Sequence, residues 1–328
     1  MPRDSIGTPA LWIGFVSAIL ALLALDLGVF HRHAHVVSFR EALGWSIVWV
    51  VLAMGFNAGV YWWFGPDRAL EFLAGYLIEK ALSVDNVFVF LVLFSSFGVP
   101  AALLHRVLFW GIVGALVMRA LFIVIGAALL SAFHWVMYLF GALLFVTGIR
   151  MLRAGAEDVR PERNPVLRWF ARVVPSVPDY RGGRFWVKER GRWLATPLVF
   201  VLVAIELTDL LFAVDSIPAV FAVTRDPFIV FTSNIFAILG LRAMFFLLAG
   251  VMHRFVHLKT GLALVLAFVG TKMLVADIFP IPIAASLAVV SLLIGGAIAL
   301  SLLTSAPERP PDALDVPLDE GLDRRGVR

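Results

Sequence analysis

The stretch "ALEFLAGYLIEKALSVDNVFVFLVLF", residues 69–94, decides the fold. Its length and apolar content are those of a membrane-crossing helix, yet it carries Glu79, Lys80, Asp85 and Asn86 in its middle. The rest of the chain resolves the conflict in favour of the bilayer. Of 328 residues, 61% are hydrophobic and 15% charged, too little polarity to cover a water-soluble domain of this length. A span needs about 20 mostly apolar residues, and such runs recur at roughly 10–30, 42–64, 69–96, 107–130, 134–152, 196–222, 228–252, 260–278 and 282–304. The expected fold is therefore an all-α polytopic membrane protein with about nine transmembrane helices. Spans 3 and 6 hold most of the acids and should be the poorest by hydropathy, which keeps a seven-span count open. The first run is too long for a signal-peptide core and lacks a clear cleavage site.

Charge orients the chain. Residues 153–195 carry ten Lys/Arg against five acids, and basic loops favour the cytoplasmic side. With nine spans, "HRHAHVVSFR", "LLHR", "HRFVHLK" and the tail fall on that side as well. "GPDR", "SAFH", "TRDP" and "DIFPIP" fall opposite, with the N-terminus outside. The expected divisions are a two-helix segment 1–68, a three-helix unit 69–152, a basic cytoplasmic loop 153–195, a second three-helix unit 196–278, a last helix 279–304 and a disordered tail 305–328. The positive balance of +4 is explained by these loops, not by nucleic acid. Without cysteine there are no disulfides, thiolate metal ligands or cysteine nucleophiles.

The two three-helix units echo each other. "EKALSVDN" (79–86) aligns with "DLLFAVDS" (209–216), "MRALFIVIG" (118–126) with "LRAMFFLLAG" (241–250), and "GALLFVTGIRMLRA" (141–154) with "GLALVLAFVGTKMLVA" (261–276). Arg119 precedes Gly148 by 29 residues, and Arg242 precedes Gly270 by 28. The topology above runs spans 3 and 6 in opposite directions, so helices 3–5 and 6–8 form an inverted pair. In secondary transporters built that way, the substrate sits near the midplane where the halves meet.

An ionised group at bilayer depth costs at least a few kcal/mol unless it is paired or faces water. Glu79, Asp85, Glu206, Asp209 and Asp215 stand against Arg119, Arg242 and Lys272, an excess of two negative charges, the charge of a divalent ion. Asn86, Ser216, Ser83 and Thr208 add neutral oxygens, a donor set suited to hard or borderline cations such as Mn²⁺, Mg²⁺ or Ca²⁺. The competing reading is purely structural: the acids pair with the bases and hold the bundle. Residues six apart lie about 120° apart on a helix, so convergence of Glu79 with Asp85, or Asp209 with Asp215, on one ion requires a break or burial on two faces. Pro218 offers a break in span 6; span 3 offers none. Asp26, near the end of span 1, is a gate or an interfacial cap. His31, His33 and His35 alternate as metal ligands can, but headgroup contact is the commoner role in such a loop. Asn57 suits a helix–helix hydrogen bond as well as a ligand, and "YWWFGP" suits the interfacial aromatic belt.

The stretches "LALDLGVFHRHAHVVSFREAL", "EFLAGYLIEKALSVDNVFVF", "LFWGIVGALVMRALFIVIG", "TPLVFVLVAIELTDLLFAVDSIPAVFAVT" and "SNIFAILGLRAMFFLLAG" resemble the TerC family of integral membrane proteins, which is similar to the LysE-like exporters. The resemblance implies Mn²⁺ efflux, with tellurium resistance as the family's namesake association. It maps the acidic motifs onto Glu79, Asp85, Asn86, Glu206, Asp209, Asp215 and Ser216 as metal-binding positions, while charge pairing or gating is expected of Arg119, Arg242, Lys272 and Asp26. The expected function is a secondary transporter of the cell (inner) membrane and not an enzyme, since the sequence lacks G-x-x-x-x-G-K-[ST], H-E-x-x-H and G-x-S-x-G. No prosthetic group is expected; the partners are Mn²⁺ as substrate, protons, lipid, and a second copy or other membrane proteins. The alternative is a non-transporting scaffold, insertion factor or metal-stress partner with structural acids.

Overall fold

The structure is a computed structural model that describes residues 5–25, 39–153, 165–189, 191–249 and 257–304; the side chains of Leu25, Asp85, Phe88, Pro165, Val166 and Arg168 are not among those described. It is mostly helical: α1 (Pro9–Leu25), α2 (Phe39–Phe64), α3 (Pro66–Ser96), α4 (Ala101–Ala132), α5 (Val136–Arg153), α6 (Pro165–Val173), α7 (Pro197–Phe221), α8 (Pro227–Leu239), α9 (Leu241–Ala249), α10 (Leu258–Leu274) and α11 (Ile283–Thr304). Local chemistry sets several of these boundaries. α3, α7 and α8 each begin with proline in the first turn, where its missing N–H costs nothing. Gly65, at φ 89°, supplies the left-handed residue that lets α2 turn into α3. Asp226 caps α8 by accepting from the Phe228 amide at 2.9 Å.

Six helical segments among the described residues are long and apolar enough to cross a membrane: Phe39–Phe64, Ala101–Ala132, Val136–Arg153, Pro197–Phe221, Pro227–Ala249 and Ile283–Thr304. Pro9–Ala24 is apolar but shorter. α10, at 17 residues, is also shorter, and α3 is long but carries too many charges. α7 was expected to share the poor hydropathy of α3 and does not, because its acids are diluted by long runs of Leu, Val and Ile. The loop 153–195 departs from an all-α reading. It contains α6 and a hairpin of β1 (Trp186–Glu189) and β2 (Arg192–Ala195), antiparallel with Trp186 opposite Ala195, and Gly191 at φ 79° makes the turn. Tyr180 in this loop donates to the Phe97 carbonyl at 2.7 Å, tying it to one end of the bundle.

The expected break in span 6 is absent: α7 continues through Pro218 to Phe221, losing only the bond that the missing Pro218 N–H would give the Val214 carbonyl. α3 is likewise continuous. The interruption falls instead at Gly240, between α8 and α9, inside what reads as one span. There the Lys80 ammonium donates to the Ala237 carbonyl at 3.3 Å, and a Cβ on Gly240 would lie 2.6 Å from the Lys80 nitrogen. A side chain entering the helical ladder is a known cause of such breaks.

α8 is the innermost helix; from Phe228 to Leu239 all but Phe231 are buried. It packs on α3, α4 and α2, with Phe56, Phe72 and Phe236 meeting at ring separations of 5.1–6.1 Å. The start of α3 lies beside the end of α7, since the Thr224 hydroxyl reaches Glu71 at 2.6 Å; the two helices run antiparallel. α5 and α10 are antiparallel too, and theirs is the most extensive helix contact. Small residues make it possible: a Cβ on Gly148 would lie 2.7 Å from the Ala263 carbonyl oxygen and 2.7 Å from the Ala267 nitrogen. Outward faces carry exposed apolar residues such as Val51, Leu121 and Leu292, as lipid-facing surfaces do.

Gly148→Ala forces backbone against backbone and should lower stability by about 1–3 kcal/mol. Gly295→Ala on α11, where a Cβ meets nothing within 4 Å, should leave stability unchanged or raise it by about 0.5–1 kcal/mol. Equilibrium unfolding in mixed detergent checks both; equal effects would contradict the close α5–α10 approach.

Candidate functional site

Three helices turn polar groups inward at one level. On α3 the buried stripe is Phe72, Tyr76, Glu79, Ser83, Asn86 and Phe90, spaced three and four apart as one helix face requires. On α4 the stripe Leu108, Ile112, Ala115, Arg119, Ile123 has Arg119 as its one charge. On α7 Asp209 and Ser216, seven residues apart, share a face. α8 contributes Asn234.

Arg119 joins them and is 0% exposed. Its Nη1 pairs with Glu79 Oε1. Its Nη2 and Nε reach the two Asp209 oxygens at 3.2 and 3.4 Å, a bidentate grip. Nη1 also donates to Ser216 Oγ at 3.2 Å and to Asn234 Oδ1 at 3.4 Å. Glu79 and Asp209, the leading acids of the two matched sequence stretches, thus meet at one guanidinium. With both ionised, the trio carries one net negative charge.

The same region holds buried polar atoms with no hydrogen-bond partner among the described residues: Tyr76 OH, Glu79 Oε2, Ser83 Oγ, Asn86 Oδ1, Asn234 Nδ2 and, on α2, Asn57 Oδ1. A buried polar atom left unsatisfied costs about 1–3 kcal/mol, more if charged. Four of these six oxygens and nitrogens lie on one face of α3. Such a row of oxygen acceptors suits a cation, a proton or water.

The remaining expected residues fan out. Glu206 lies against Gly114 of α4, where a Cβ would collide with its carboxylate. Asp215 accepts from Thr147 Oγ1 of α5 at 3.2 Å. Neither makes an ion pair among the described residues. The unbroken helix keeps Glu206, three residues before Asp209, on the Asp209 side of α7 and turns Asp215, six residues beyond, well away from it. Thr208 donates its hydroxyl hydrogen to the Ala204 carbonyl at 2.7 Å, which leaves its oxygen lone pairs free but holds the side chain back along α7. Asp85 lies on α3 next to Asn86, but its side chain is outside the description, and Asp26 and the histidines 31, 33 and 35 lie outside the described residues. Arg242 begins α9 just after Gly240, and Lys272 is buried on α10, but the pairs that hold Glu79 and Asp209 are both made by Arg119.

Among the described residues no three His, Asp or Glu side chains converge as a metal cage. Sequence reasoning overlooked Lys80 in the charge count; with it inside the bundle, the excess of acid falls from two to one. It also overlooked Asn234, Tyr76 and Thr147. Asn234 was readable as the lone amide in an apolar helix, whereas Thr147 and Tyr76 needed the packing.

The family described as Integral membrane protein TerC family matches residues 64–309. A membrane protein of Myxococcus xanthus, STKORF319, is 55% identical over 311 residues, covering 94% of this chain and 98% of its own. A protein of Escherichia coli strain K12 named as a candidate membrane-bound redox modulator, Alx, is 50% identical over 297 residues, covering 88% of this chain and 92% of its own. A membrane protein of Rickettsia felis is 42% identical over 289 residues, 88% of this chain and 96% of its own. No solved structure matches the chain.

Arg119→Met strands two buried carboxylates and should destabilise the protein by about 3–5 kcal/mol. Adding Glu79→Gln and Asp209→Asn should restore most of that loss, because neutral groups no longer need the guanidinium. Unfolding of the single and triple variants in detergent measures the difference; a triple variant no more stable than Arg119→Met would contradict the pairing.

Proposed function

We propose, for a chain that belongs to the TerC family of integral membrane proteins, that it exports divalent cations, Mn²⁺ foremost, in exchange for protons. The observation that carries this reading is the row of buried oxygens on α3, Glu79 Oε2, Ser83 Oγ and Asn86 Oδ1, with no partner among the described residues beside the Arg119 knot. Purely structural polar groups are expected to satisfy one another; these have capacity left over. The ligand set is oxygen alone, which favours hard and borderline cations over soft ones. Mn²⁺ is chosen by family resemblance.

The chain's own residues divide the work. Asn86 and Ser83 offer oxygens along α3. Arg119 holds Glu79 and Asp209 while no ion is bound, and must loosen its hold for either to contribute. Glu206 and Asp215, with no basic partner among the described residues, carry protons and give them up as metal arrives, since carboxylates bind metal only when deprotonated.

The architecture proposed is nine spans with helices α3–α5 inverted relative to α7–α10. Its support is that α3 lies antiparallel to α7 and α5 to α10, and that the leading acids of both units reach the same arginine. The N-terminus lies outside, with the basic loop and C-terminus in the cytoplasm. Relatives carry a redox-modulator name; this chain has no cysteine, so any effect of it on redox state does not use thiols of its own.

Purified protein in liposomes should move Mn²⁺ under an imposed pH gradient, with Mg²⁺, Ca²⁺ and Zn²⁺ run in parallel. Asp215→Asn and Asn86→Ala should cut the flux on the order of tenfold or more at unchanged protein level. Absence of flux for all four ions would refute transport. Variants that lose abundance yet keep flux per molecule would favour the scaffold reading.

A further inference from the structure

At the end of the bundle where α2 turns into α3 and α7 into α8, a polar chamber of about 600 Å³ opens, lined in part by Arg68, Glu71, His134, Arg225 and Asp226. Next to it, between α1 and α4, runs an apolar groove of about 890 Å³ walled by Trp12, Ile13, Val124 and Ala128. Ser5, Ala127 and Ser131 line both, so the two are continuous. Both volumes fall in the range of small-molecule sites, about 300–1,000 Å³.

The chamber's two arginines are matched in number by Glu71 and Asp226, but the acids are already engaged. Asp226 is 4% exposed and fully engaged: it accepts from the Ser5 hydroxyl at 2.7 Å and from the Ile6 and Phe228 amides at 2.8 and 2.9 Å. Glu71 is held by Arg68 at 2.9 Å and by the Thr224 hydroxyl at 2.6 Å. Asp277, the acid that faces Arg225 from beyond α10, is taken by Tyr138 and by His134, which lies 3.0 Å away. These two hydrogen bonds, with help from the Arg225 charge, hold the Asp277 carboxyl below its ordinary value. Arg225 itself is exposed and its hydrogen bond is to the Met137 sulfur at 3.0 Å. A thioether is a weak, uncharged acceptor, so the guanidinium keeps most of its capacity for an anion.

A cation at the mouth of a groove whose walls face the bilayer matches one kind of molecule. Ile13 and Val124 are 68% and 64% exposed, so the groove opens to lipid. We infer that this two-part site holds an anionic phospholipid, with its phosphate on Arg225 and an acyl chain between α1 and α4. Arginine suits phosphate because its planar fork can make paired hydrogen bonds. The site lies apart from the Arg119 knot, so its failure leaves the transport reading untouched.

Native mass spectrometry of the full chain released from detergent tests it, with phosphatidylglycerol, phosphatidylcholine and inorganic phosphate as probes. One phosphatidylglycerol per chain should be retained in preference to phosphatidylcholine. Arg225→Gln should lower that retention on the order of tenfold, and Ala128→Trp, which fills the groove from an exposed position, should do the same. Equal retention of both lipids, or loss in only one variant, would overturn the two-part site. Competition by inorganic phosphate alone, as strong as by the lipid, would overturn the lipid assignment.

Discussion

A guanidinium with no exposed surface has to be neutralised where it lies, and Arg119 recruits its partners from three other helices. Glu79 comes from α3, Asp209 and Ser216 from α7, and Asn234 from α8. This requirement fixes the rotation of each helix about its own axis, because one wrong face would leave a charge alone in an apolar interior. It also accounts for the low apolarity of α3, whose charges would be prohibitive if they met lipid. The surrounding packing serves the same end. Gly114 leaves room for the Glu206 carboxylate, and the glycines of α5 and α10 bring those helices to backbone contact beside the Asp215–Thr147 bond.

The knot has two faces. As cement it satisfies two carboxylates and would explain the acids without any ion. Yet one Glu79 oxygen and its neighbours on α3 remain outside it. An arrangement optimised only for stability would enclose those atoms in hydrogen bonds or replace them with apolar groups, often at no loss. One basic group set among several acids, some paired and some not, is instead a device in which a mobile cation can compete with a tethered one.

Much of this was legible in the residues, and the limits have physical causes. The apolar runs predicted helices well, since length and composition suffice for that. The matched stretches picked out Glu79, Asp209 and Arg119, because a buried charge is conspicuous in an apolar run. Choosing Arg119 over Arg242 as the partner depends on helix packing, which spacing does not encode. The break at Gly240 was hidden for a similar reason: Lys80, whose ammonium meets the Ala237 carbonyl there, lies on another helix. The hairpin at 186–195 left a local trace in "FWVKERGRWLA", apolar alternation around a glycine, but a short strand pair inside a basic loop is easily read as linker. Asp215 and Glu206 point apart because α7 is unbroken, so the single converged cage that a helix break would allow is not formed.

The central claim is that the oxygens beside Arg119 seat a divalent cation. Electron paramagnetic resonance of Mn²⁺ titrated into the purified full chain reads this directly, since bound ion leaves the sharp six-line spectrum of the free aqueous ion. The account predicts one saturable Mn²⁺ per chain in the parent protein and its loss in Asn86→Leu, with folding intact. Saturable binding undiminished by Asn86→Leu, or a parent protein that leaves the free-ion signal unchanged, would contradict it.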